Sequence, residues 1–225
     1  MSLMWKSLAL AAVCAPVLSA CNVDMKTDVY VSDFKEVLDG KEAELMAPAR
    51  ITIGFPGTMQ QCREKADGLV SYVQGMFPDA ALAGCIETDG MENELRVDVR
   101  MPIVRIDGEP AEVDARPLSS GAAVVVREGG EMWLKVDADG LNRTVDAMKS
   151  ENPMVSLETF KASVTVMNDA REKVGVKVSQ VFADGEPVWD STFTLQRRDD
   201  LDIVLSDVAS DLVRRGFSYP FAQVE

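Results

Sequence analysis

The chain of 225 residues contains no histidine. That absence removes the usual general base near neutral pH, the Ser-His and Cys-His catalytic pairs, and the commonest zinc ligand. A basic surplus is missing too: 23 lysines and arginines face 37 aspartates and glutamates, a net charge of −14. Such acidity argues against nucleic acid, because phosphate binding needs lysine and arginine. It argues equally against a basic patch gripping anionic lipid head groups. The N-terminal apolar run, Leu8 to Leu18, is about half of the roughly 20 residues that a spanning helix needs. What is present is an ordinary globular composition, 47% hydrophobic and 27% charged, long enough for one large or two small domains.

Residues 1–20 have the layout of a secretory signal: Lys6, then the apolar run, then small residues. Its end, Leu18-Ser19-Ala20-Cys21, resembles the lipobox of bacterial lipoproteins. The resemblance implies recognition of Leu18, Ser19 and Ala20 by the lipoprotein signal peptidase. It implies diacylglycerol on the Cys21 thiol, Cys21 as first mature residue, and the lipid bilayer as a partner through acylated Cys21. Asn22, rather than aspartate, follows the cysteine. In Gram-negative lipoproteins this favours the periplasmic face of the outer membrane, with the inner membrane as the alternative. The leader, the segment "TDVYVSDFKEVLDGK" and a spaced cysteine pair are similar to small lipoproteins of proteobacteria and their prophages. That family has no established activity.

With Cys14 in the leader and Cys21 acylated, Cys62 and Cys85 remain. An even remainder in an oxidising periplasm suggests one disulfide, with two separate buried thiols as the alternative. They lack C-x-x-C spacing, and without histidine they argue against a metal site.

Periodicity predicts the elements. Asp28 to Phe34 is expected as a first strand running into a short turn or helix, broken at Asp39-Gly40, and Ala49 to Phe55 as a strand. From Leu95 to Ile103, apolar residues alternate with Arg96, Asp98, Arg100 and Pro102. A helix is expected over Thr58 to Phe77, with Cys62 on its apolar face and a Thr58/Gln61 capping box. A hairpin turns at Gly129-Gly130, and Leu141, Val145 and Met148 mark a short helix. A meander follows from Phe160 to Leu195. Leu201, Val204, Leu205, Val208 and Leu212 mark a final helix, Asp199 to Arg215, opened by aspartates and closed by arginines. The expected fold is α+β: mostly antiparallel sheet with two main amphipathic helices and one short one. The expected organisation is a signal peptide (1–20), a lipidated tether (21–26), and α+β halves at 27–110 and 111–225, separate or continuous.

Local motifs carry little chemistry. Ser32-Asp33-Phe34-Lys35 matches S-x-x-K but lacks the companion S-D-N and K-T-G elements. Asp190-Ser191-Thr192 is similar to the aspartic-protease D-[ST]-G, without its glycine or a second copy. Asp137 to Asn142 resembles a calcium loop, yet Met148 stands where glutamate is needed. No catalytic residues, cofactor or metal are therefore expected. The expectation is a non-catalytic, membrane-anchored module that binds an envelope protein partner. The alternatives are a carrier of an apolar ligand such as lipid, a prophage-encoded envelope modifier that excludes other phages, and a carboxylate-based hydrolase.

Overall fold

The computed structural model describes residues 22–88, 92–150, 153 and 155–225. Its strands are β1 (Val23–Tyr30), β2 (Glu44–Pro56), β3 (Ala81–Glu87), β4 (Glu92–Arg105), β5 (Ala122–Arg127), β6 (Glu131–Val136), β7 (Lys161–Met167), β8 (Val174–Ala183), β9 (Glu186–Leu195), β10 (Asp200–Leu205) and β11 (Tyr219–Val224). The helices are α1 (Val31–Leu38), α2 (Met59–Gln74), α3 (Pro110–Ala115), α4 (Ala138–Met148) and α5 (Asp207–Arg214).

Nine strands form a closed barrel in the order β10-β7-β1-β2-β4-β5-β6-β11-β8, with β8 returning to β10. β11 takes β8 at Val176–Val178, and β10 takes it at Val181–Ala183. Strand β3 pairs beside β4, and β9 beside β8. The pairs β1/β7 and β4/β5 are parallel and the rest antiparallel.

This corrects the α+β expectation: the protein is mostly sheet with small helices. The largest departure is at 199–215. There, Leu201, Ile203 and Leu205 alternate inward on β10, and only Asp207–Arg214 is helical. Apolar residues at 201, 204, 205, 208 and 212 suit a helix locally. Pairing with β7 on one side and β8 on the other makes the strand prevail. Ser206 then starts α5, its hydroxyl accepting from the Ala209 N–H. Val208 and Leu212, assigned to the buried face of that helix, are exposed.

The two anticipated halves share this one sheet, since β1 pairs along its length with β7. Residues 23–26, read as tether, are the first half of β1, with Val23 and Met25 buried. Segment 109–121 holds α3. Its last turn is capped by buried Lys135, whose ammonium donates to the carbonyls of Val113, Asp114 and Arg116. Burial is the main cause that pushes the Lys135 pKa below its ordinary range.

The core fills the barrel. Leu95, Val97, Val99, Met101 and Ile103 of β4 point into it, opposite Ile51 and Ile53 of β2 and Val23 and Met25 of β1. Helix α2 has the anticipated capping box and buries Cys62, Ala66, Leu69 and Val73. The disulfide Cys62–Cys85 ties α2 to β3, closing a separation of 23 residues.

Candidate functional site

Strand alternation that sends apolar residues inward must send their neighbours outward. On β1 those neighbours are Asp24, Lys26 and Asp28; on β2, Thr52, Arg50 and Pro48; on β4, Arg96, Asp98 and Arg100. The register aligns them in rows across the wall. One row reads Lys161-Asp24-Thr52-Arg96 and the next Ser163-Lys26-Arg50-Asp98; beyond them Asp28 pairs with Thr165, and Pro48 with Arg100. All of these except Thr165 line a cleft of about 990 Å³, which also includes Asp79 and Ala81 beside β4 and Val204 of β10. An apolar interior behind a charged wall is the reverse of a lipid-embedded barrel, whose outer band is apolar. Among the described residues, no helix is long and apolar enough to cross a membrane.

The cleft mixes both signs of charge at close range. Arg50 pairs with Asp98 at 2.7 Å, Arg96 with Glu94 at 2.8 Å, and Lys26 with Asp202 at 2.9 Å. All three pairs are partly solvated, so each contributes roughly 0–1 kcal/mol. They can exchange partners at little cost to the fold. Among the described residues, Arg100 and Lys161 form no ion pair. Asp24 is the exception to this solvated pattern. Its Oδ1 is buried with no hydrogen-bond partner among the described residues. Burial raises the Asp24 pKa, Lys161 opposes the rise and Glu94 adds to it.

Leu18, Ser19, Ala20 and Cys21 lie outside the described residues. Cys62 and Cys85 are joined, away from the cleft lining. The Ser32 hydroxyl and N–H both donate to Asp169, which engages the serine with a carboxylate rather than with Lys35. Asp33 nearby has a raised pKa, chiefly through burial and then through the Asp169 charge. Asp190, Ser191 and Thr192 lie within β9. Asp137 caps α4, accepting from the Gly140 N–H, so that segment is a helix start. Among the described residues, no group of three or more acidic or cysteine side chains is arranged to hold a metal.

Residues 23–224 match the family described as Domain of unknown function (DUF7424). The chain belongs to the DUF7424 family. The matched DUF7424 span begins with the first residue of β1 and ends with the last of β11, so the family unit is the whole barrel. Neither the curated proteins nor the solved structures hold a match to this DUF7424 chain.

The cleft residues of the DUF7424 domain escaped the sequence reading. Arg96, Asp98 and Arg100 were visible as the solvent side of one strand. Their alignment with β1 and β7 needs a register that no local pattern carries. The available signal was charge of both signs alternating with apolar residues, first in "VDMK" and again in "LRVDVR".

Proposed function

We propose that this DUF7424 protein is a lipid-anchored, non-catalytic interaction module of the bacterial cell envelope, held at the periplasmic face of the outer membrane through acylated Cys21. The DUF7424 barrel binds an envelope protein through the charged cleft of β7, β1, β2 and β4. The observation that carries the reading is the cleft itself: a large concave wall with charges of both signs whose internal pairs contribute little to stability. Complementary charges on a partner would supply register and selectivity there. The lipobox supports the address, and Asn22 after Cys21 supports the outer membrane.

The apolar-carrier reading has less to support it. The apolar gap between α2, α4, β1 and β2 holds about 30 Å³, whereas ligand pockets hold about 300–1,000 Å³. A photo-crosslinking residue placed at Thr52, in the cleft lining, should trap one envelope protein in cells. The same adduct should disappear when Arg50 and Arg100 are both changed to glutamate. An adduct equally strong from Glu128, outside the cleft lining, would count against the cleft.

A further inference from the structure

The barrel begins almost at the lipobox. Val23 is buried in β1. The preceding residue, Asn22, is fastened at both its backbone and its side chain. Its carbonyl accepts from the Gly54 N–H at 2.8 Å, and its side-chain oxygen accepts from the Thr159 hydroxyl. Asn22 alone therefore separates Cys21 from the first strand, and one residue reaches only about 3.6 Å. An acyl group on Cys21 would hold this end of the barrel against the bilayer, with no flexible tether between them.

The same end carries α5. Strand β10 runs antiparallel to β7, so its last residue, Leu205, lies where β7 and β1 start, and α5 follows at once. Thr159, the partner of Asn22, shares a recess of about 300 Å³ with Asp207, Asp211 and Arg214 of α5. The helix buries Ala209, Ser210 and Val213 and leaves Val208 74% exposed, with Leu212 and the following Phe217 also exposed. Three of the eight large hydrophobic side chains exposed among the described residues thus fall between 208 and 217. Charge does not keep this segment from lipid. Asp207 and Asp211 are balanced by Arg214 and Arg215, and Asp211 pairs with both arginines, in a chain of net charge −14.

We infer that the outer face of α5, through Val208, Leu212 and Phe217, docks on the lipid bilayer beside the anchor and fixes the orientation of the barrel. The inference rests on the lipobox reading of Cys21. Acyl chains supply the anchoring, and apolar side chains reaching the head-group boundary add to it. Because the segment is neutral, the contact is apolar rather than electrostatic and should be insensitive to salt. The cleft then lies with its Lys161-Asp24 end nearest the membrane and its Arg100 end away from it.

The test uses the full acylated protein in vesicles of phosphatidylethanolamine with a minor share of phosphatidylglycerol and a nitroxide-labelled head-group lipid. An environment-sensitive fluorophore is attached through Val208→Cys or, as the distant site, Lys41→Cys, which follows α1 beyond the far end of β1. Quenching should be several-fold stronger at 208 than at 41. Labelled palmitate is followed in the same samples and should be lost in Cys21→Ser. Palmitate uptake with equal quenching at both sites overturns the orientation alone. Absence of palmitate uptake overturns the anchor and the orientation together.

Discussion

The two faces of β1, β2 and β4 share a backbone and differ in nearly everything else. Inward, Met25, Ile51 and Val97 meet in a dry core. Outward, one register step away, Lys26, Arg50 and Asp98 meet in water. Burial of apolar surface contributes about 25 cal/mol per Å², while exposed ion pairs contribute at most about 1 kcal/mol. The inner face therefore determines whether the barrel exists, and the outer face is free to serve a partner. Substitutions on the two faces should separate these roles.

The largest effect is expected on the inner face. Leu95→Ala, at a fully buried position of β4, should destabilise by about 2–5 kcal/mol in denaturant melts. Next comes the link between α2 and β3. Replacing Cys62 and Cys85 by serine should cost about 3 kcal/mol, seen as a lower midpoint under non-reducing conditions. An unchanged midpoint would mean that packing alone positions α2. Lys135→Met should follow. It leaves the carbonyls of Val113, Asp114 and Arg116 without their shared donor, at a cost of about 1–3 kcal/mol. Hydrogen exchange should localise the loss to α3.

Asp24 stands between the two regimes, on the outer face but with a buried oxygen. Its folded pKa lies above its unfolded value, so over the pH range between them the folded state holds more protons. Stability from this group therefore falls as pH rises through that window, and the penalty is complete above the folded pKa. Asp24→Asn should raise the melting temperature at pH 7 and leave it unchanged at a pH low enough to protonate both states. The opposite pH dependence would mean that Lys161 outweighs burial. Smallest of all, Arg50→Ala should change stability by less than about 1 kcal/mol.

Legibility in the sequence follows the same division. The inner face of β4 was readable, because Leu95 to Ile103 alternate without interruption and all five apolar residues are buried. Helix α2 was readable from its three-four spacing and the Thr58 cap, and the Cys62–Cys85 pair was expected from the even remainder. Barrel closure was not. It depends on β1 lying parallel to β7 and on β10 meeting β8, contacts between segments far apart in the chain. The stretch "DLDIVLSDVASDLV" shows why: its first half alternates by two and its second half turns by three and four. A single helix accommodates both until the partner strands are known. The cleft was hidden for a related reason. Each strand announces a polar side, but only the register turns several polar sides into one site.

The proposal for this barrel is that its outer wall binds a partner while its inner face carries the fold. It is tested most directly by changing Arg50 and Arg100 together to glutamate, then measuring the melting temperature and the Thr52 crosslink in cells. The expected result is a melting temperature within a few degrees of the parent and loss of the adduct. An adduct that persists at full strength in a folded variant would contradict it.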